Sequence, residues 1–212
     1  MEMGIKEHWN ERYNSRDDAQ LSWTESEPQQ VIDWIKQCAH RSDAVVDIGA
    51  GRSRLLEKLL ELGYEKLTHL ELSEVASTEM RKRLETSAQK IEWVCSNVLD
   101  WRPQQAFHLW HDRAVFHFLT DVSDRKRYIE VLESCLEPDG YAIISTFHTS
   151  GPEKCSGLPI CQYTPEELLE TCNHLGKRAW TLSNQALHAH QTPSGAIQQF
   201  QYSCFKVATS IE

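Results

Sequence analysis

The residues best placed to do chemistry are a glycine loop, Asp47-Ile48-Gly49-Ala50-Gly51, and an acid twenty positions further on, Glu71. A glycine-rich turn between a strand and a helix lets the backbone approach a ligand closely, and several ligand classes use one. A nicotinamide fingerprint needs a third glycine, and Arg54 takes that place. No Gly-Lys-Ser/Thr follows, so the loop is not a triphosphate cradle either. Asp47 sharpens the choice, because a carboxylate two residues before Gly49 would face a pyrophosphate unfavourably. In a partly buried cleft that repulsion costs roughly a few kcal/mol. A ligand with no phosphate but with an ammonium and a sulfonium would be attracted, and S-adenosylmethionine is such a ligand. Glu71, at the end of the second predicted strand, can accept hydrogen bonds from both hydroxyls of a ribose.

The elements that must hold these groups alternate. Ile5, Trp9 and Tyr13 recur at helical spacing, and Val31, Ile32, Ile35 and Cys38 mark a second helix opened by Pro28. A polar stretch from Asn14 to Glu27, with Trp23 in its middle, separates them. Predicted strands cover 44–48, 67–72, 91–94, 107–111 and 141–147. Between them lie a helix carrying Leu55, Leu56, Leu59 and Leu60 and stopped by Gly63, and one capped by Ser73. A longer helix begins near Ser123. Thr164-Pro165-Glu166-Glu167 is a capping box, and 181–207 reads as two strands joined around Thr192-Pro193-Ser194-Gly195. The expected fold class is α/β: a three-layer Rossmann-like sheet, mostly parallel, with an antiparallel C-terminal edge hairpin. The expected organisation is one domain over 1–212, with a helical cap or lid over 1–43 and a core over 44–212. Ligands of such sheets bind beyond the carboxyl ends of the strands, which draws attention to Asn97, Asp112 and the segment 147–157.

With these motifs in order, the sequence resembles the class I S-adenosylmethionine-dependent methyltransferases, from Glu7-His8-Trp9-Asn10-Glu11-Arg12-Tyr13 to the final strands. The resemblance implies that Asp47, Gly49, Ala50 and Gly51 line the methionine portion of the cofactor, with Ser53 where many members carry glycine. Glu71 matches the ribose-binding acid, and Leu72 is expected against the adenine. Ser96-Asn97-Val98 matches the adenine-contacting segment, with Asn97 in place of the usual Asp; its amide oxygen can still accept a hydrogen bond. Asp112-Arg113-Ala114-Val115-Phe116-His117 resembles the D-[KR]-G-T-x-D segment of the protein lysine methyltransferases, and Trp9 to Tyr13 resembles their W-x-x-R-Y opening. The region is also similar to thiopurine-type small-molecule enzymes. His117 replaces the second Asp, and an imidazole does not attract a lysine ammonium as a carboxylate does. Asp112 and His117 are the expected catalytic residues, Asp112 also being expected along the cofactor, with His148 another base by location. Arg113 is expected to contact the cofactor or an anionic acceptor. Trp23 is expected in a lid over the sulfonium, where an aromatic face attracts a cation.

Composition sets the outer bounds. A formal net charge of -9 argues against a broad nucleic-acid surface, and the one dense basic cluster is Arg81-Lys82-Arg83. No apolar run approaches the ~20 residues that span a bilayer, and the first residues lack a signal-peptide pattern. Seven cysteines without CxxC spacing suit reduced thiols in a soluble, cytoplasmic protein, and no metal-ligand cluster is present. The partner expected is a methyl acceptor, a small molecule or a protein side chain. The alternatives are a non-catalytic S-adenosylmethionine-binding sensor or scaffold, and a nicotinamide-dependent oxidoreductase, which Asp47 and Arg54 disfavour.

Overall fold

A computed structural model describes residues 4–15, 21, 23, 28–193 and 195–210. Most of the polar stretch predicted between Asn14 and Glu27, and Ser194 of the terminal turn, lie outside the described residues.

Helices α1 (Ile5–Asn14) and α2 (Gln29–Cys38) precede a sheet that begins with β1 (Ala44–Ile48). Then come α3 (Leu55–Glu61), β2 (Lys66–Glu71), α4 (Glu74–Leu84), β3 (Ile91–Cys95), β4 (Phe107–Arg113), α5 (Val122–Cys135) and β5 (Leu136–Phe147). A small hairpin, β6 (Lys154–Cys155) and β7 (Leu158–Pro159), leads to α6 (Pro165–Leu175) and the long strands β8 (Arg178–Gln191) and β9 (Ile197–Ser210). The seven-stranded sheet has the order β3-β2-β1-β4-β5-β9-β8. Strands β1 to β5 pair in parallel, whereas β9 is antiparallel to both its neighbours, so it alone runs against the rest. The Rossmann-like sheet and its antiparallel terminal edge are therefore as the alternation of elements predicts.

Local signals account for the element ends. Ser73 caps α4 by accepting from the Ala76 amide, and Thr164 and Glu167 close both halves of a capping box on α6. Gly63, at φ +86°, turns the chain out of α3, a conformation costly for a residue with a Cβ. Both faces of β1 are buried, as a central parallel strand requires. Val46 and Ile48 join a cluster with α5 and α6, while Val45 joins one with α2, α3 and α4. Alternation then puts Asp47 on the same face as Val45.

The larger differences from the sequence expectation lie at β4, β5 and the loop that follows. Strand β4 runs on to Arg113 instead of ending at His111, β5 begins at Leu136 instead of Tyr141, and the loop after β5 contains the β6–β7 hairpin. Pro138-Asp139-Gly140 makes a local kink, with Asp139 at φ +58°, without ending the strand pairing. The edge of the sheet is tied by Arg178, which donates to the carbonyls of Glu133, Leu136, Glu137, Val207 and Ala208. Burying an arginine in this way requires that its donors find acceptors, and here five carbonyls supply them.

Candidate active site

The carboxyl ends of β1, β2 and β4 open into a cavity of about 600 Å³. The glycine loop forms its floor. Gly49 and Gly51 both have positive φ, +59° and +53°. A Cβ on Gly49 would strike Val115, and one on Gly51 would strike the Tyr13 hydroxyl, so neither place admits a side chain. The Gly51 amide donates to Glu71 Oε2 at 2.8 Å, and the Ser73 amide donates to Glu71 Oε1 at 2.7 Å. One acid thus fixes the loop after β1 to the start of α4. Burial pushes the Glu71 carboxyl up from its ordinary value, while these amides pull it down.

Asp47 lines the same cavity and is almost wholly buried. Its Oδ1 lies 2.7 Å from His111 Nδ1, and its Oδ2 accepts from Ser53 Oγ at 3.2 Å. The residues expected along the cofactor that do line the cavity are Trp23, Asp47, Gly49, Ala50, Ser53, Glu71, Leu72, Asn97, Val98 and Arg113. Gly51 lies just behind the wall. Asn97 Oδ1 accepts from the Leu99 amide at 3.0 Å, so its side chain also shapes the turn after β3.

The two residues expected to be catalytic are placed differently. Neither Asp112 nor His117 lines the cavity. On β4 the side chains of His111 and Arg113 alternate with that of Asp112, which faces α5. There Asp112 Oδ1 accepts from the Val115 amide at 2.8 Å, and Oδ2 accepts from the Phe116 amide at 3.0 Å and the Tyr128 hydroxyl at 2.6 Å. Its carboxyl is fully enclosed, and burial raises its pKa to about 6. Asp112 therefore holds the left-handed turn at Ala114, φ +71°, which carries Val115 to the cavity. His117 is buried against Phe118 and Phe147, and its Nδ1 accepts from the Phe147 amide. Burial, with the nearby Arg113 charge, lowers its pKa to about 3, so the ring is neutral. His148 forms its bonds with Ser150 and is absent from the lining.

Residues ahead of β1 form the roof. Trp9 and Trp23 meet edge to face at 5.8 Å, and Trp9 meets Phe118 at 5.2 Å. Arg113 Nη1 donates to the Trp23 carbonyl at 2.7 Å, and its Nε donates to the Tyr202 hydroxyl at 2.9 Å. Arg52 donates to the Tyr13 carbonyl and pairs with Glu79. Sequence reasoning missed His111, Arg52 and Phe118. Period-two alternation on β4 was the available signal for His111, since it shares a face with Arg113.

The donor set fits a cationic nucleoside: two buried carboxylates, a glycine floor and aromatic walls. A phosphate against the glycine loop would meet the buried carboxylates of Asp47 and Glu71. A sequence profile described as "Methyltransferase domain" matches residues 45–140, the span from β1 into β5. The chain is a class I S-adenosylmethionine-dependent methyltransferase. This methyltransferase is 24% identical over 183 residues to human EEF1A lysine methyltransferase 2, covering 79% of this chain and 72% of that protein. Among solved structures it resembles one described under the conversion of a disulfide bond into a thioacetal group during echinomycin biosynthesis. That match has TM-score 0.75 and 17% identity and covers 97% of this chain and 93% of that one. It also resembles the Burkholderia thailandensis 1,6-didemethyltoxoflavin-N1-methyltransferase with bound 1,6-didemethyltoxoflavin and S-adenosylhomocysteine. Here the TM-score is 0.66 and the identity 19%, over 85% of this chain and 78% of that one. The cofactor of the methyltransferase is S-adenosylmethionine. Among the described residues no helix is long and apolar enough to cross a membrane, and no group of His, Cys, Asp or Glu could hold a metal ion.

Proposed function

We propose that this methyltransferase moves its methyl group to a small, largely apolar acceptor by in-line displacement. The observation that carries the proposal is the outer wall of the cavity. Ile5, Trp9, Phe118, Leu119, Leu158 and Pro159 line it, and Asp124 is the acid at that end. A lysine ammonium would need a carboxylate where its enzymes carry the second Asp, and His117 there is neutral and enclosed.

In this reading Asp47, Gly49, Ala50 and Ser53 hold the amino-acid end of the cofactor, and Glu71 holds the ribose. Leu72, Asn97 and Val98 flank the adenine, and Trp9 and Trp23 cover the sulfonium. Arg113 braces that cover from below. Bound S-adenosylmethionine supplies a methyl group already activated by the sulfonium charge. The chain's part is to align the acceptor and exclude water, which can supply several kcal/mol of the barrier. Asp112 acts at one remove by fixing the turn that presents Val115. With all seven cysteines free, the protein suits a reducing cytoplasm.

The lysine-methyltransferase relatives favour a second reading, a protein side chain. Turnover with a labelled methyl donor against a metabolite pool and, separately, a protein extract distinguishes the two. Label in the small-molecule fraction is expected; label confined to protein would overturn the small-acceptor reading.

A further inference from the structure

The hairpin after β5 is slight for the place it occupies. Strands β6 and β7 have two residues each and pair only with one another. A two-stranded hairpin of that size does not hold its shape alone in water. Its turn residues, Ser156 and Gly157, both have positive φ, +53° and +86°, as a tight two-residue turn requires. For serine that conformation is uncommon and persists where the surroundings enforce it. Yet Cys155, Leu158 and Pro159 all line the cavity. The base of the hairpin is fixed by the burial of Cys155 and by the Gln162 amide, which donates to the carbonyls of Gly151 and Pro152. The tip is fixed from α1. Arg12 Nη2 donates to the Ser156 carbonyl at 2.6 Å, and a Cβ on Gly157 would lie 3.4 Å from the same nitrogen. A guanidinium donor makes this a stronger bond than a neutral pair would.

On α1 the residues Ile5, Trp9 and Tyr13, four apart, make the stripe that faces the cavity, and Arg12 borders it one turn from Trp9. The helix has other anchors on the cofactor side: Lys6 to Glu74, the Ser73 hydroxyl to Asn10, and Arg52 to the Tyr13 carbonyl. Loss of Arg12 therefore leaves α1 docked and releases the hairpin tip. We propose that Arg12 is a positioning residue for the methyl acceptor. By latching the hairpin to α1 it sets the gap between the Leu158–Pro159 wall and the Ile5–Trp9 wall, into which the acceptor fits. Arg12 does not itself line the cavity and acts through the Ser156 carbonyl. The proposal rests on the reading of this outer wall as the acceptor end.

Two variants and two measurements test it. With a labelled methyl donor and a dilution series of a small-molecule metabolite pool, Arg12→Met is expected to need about three- to tenfold more pool for half-maximal labelling. Its rate at saturating pool and its calorimetric affinity for S-adenosylhomocysteine should stay within about twofold of the unaltered protein. Arg12→Lys keeps a cationic donor on a shorter arm and should recover part of the loss. Trypsin reads the latch without any acceptor: Lys154 is exposed on β6, and cleavage after it should quicken several-fold in Arg12→Met. Unchanged half-saturation, an unchanged rate of cleavage at Lys154, or an equal loss of S-adenosylhomocysteine affinity would overturn the proposal. If thermal melting shows that Arg12→Met does not fold, Arg12→Lys decides alone and must show the same pattern at smaller size. A pool that takes no label from the unaltered protein would sink the small-acceptor reading, and the cleavage rate at Lys154 would then decide the latch by itself.

Discussion

Replacing Asp112 with asparagine separates a structural role from a chemical one. The carboxyl is enclosed and accepts three hydrogen bonds, yet burial raises its pKa from 3.8 to about 6. The folded protein therefore holds this proton more tightly than the unfolded chain does. The contribution is fully present below pH ~4 and is lost as pH rises through about 6. A difference of about two pH units at ~1.4 kcal/mol each gives roughly 3 kcal/mol. Asparagine removes that dependence but sets an amide N–H against a backbone N–H, at a fixed cost of about 1–3 kcal/mol. For a chain of this size each kcal/mol moves the melting temperature by about 2–4 °C. Asp112→Asn is thus expected to melt well below the unaltered protein at pH 4, with the gap closing by roughly 6–12 °C at pH 7. Other carboxylates and histidines titrate in both proteins and cancel in the difference. Calorimetric melts across this range provide the assay, with S-adenosylhomocysteine affinity at pH 7 expected to be unchanged. A gap that stays constant or widens with pH would refute the argument, as would a stable variant that no longer binds.

Further perturbations follow the same logic. His117 has its pKa lowered to about 3, so its contribution to stability is present above pH ~6.5 and is lost as pH falls toward 3. His117→Gln should remove that acid-side loss, ~1.4 kcal/mol per pH unit, when the two proteins are melted side by side. Glu71→Ala should weaken S-adenosylhomocysteine by at least about tenfold in calorimetry and lower stability, because the Gly51 and Ser73 amides lose their acceptor. Affinity within twofold of the unaltered protein would place the ribose elsewhere. Arg178→Met strips five carbonyls of a donor and should cost about 3 kcal/mol, seen as a fall in melting temperature of roughly 6–12 °C.

Much of the fold was legible because its signals are local. The capping box at Thr164, the cap at Ser73 and the stop at Gly63 each depend on residues within one helical turn. The glycine loop and Glu71 were legible because strand, turn and acid follow each other along the chain. Lateral relations were not. Nothing in the order of residues says that β4 lies beside β1, or that Asp47 comes opposite His111. A two-residue error in the end of β4 hid a consequence of alternation: with Arg113 at the cavity, Asp112 must face away. His117 was misplaced in sequence for a similar reason, since its enclosure comes from Phe147, thirty residues later on β5. Arg178 carried no motif at all, because its partners are backbone carbonyls of three separate segments.

The roof over the cavity has a consequence for how the molecule opens. Helix α1 has ten residues and buries only Tyr13. Its anchors include Lys6 to Glu74, Asn10 to Ser73 and Arg12 to the Ser156 carbonyl, each more than sixty residues away in sequence, and Arg52 to the Tyr13 carbonyl. A helix of that length is marginal alone in water, so α1 is helical because it is docked. Its few polar anchors exchange readily with solvent, whereas β1 and β4 are sealed on both faces. The amides of α1 accordingly exchange hydrogen through a local opening that leaves the sheet intact, and those of the central strands only through global unfolding. Admission of cofactor and release of product are expected to draw on that cheaper opening, with the sheet and its glycine loop staying assembled from one turnover to the next.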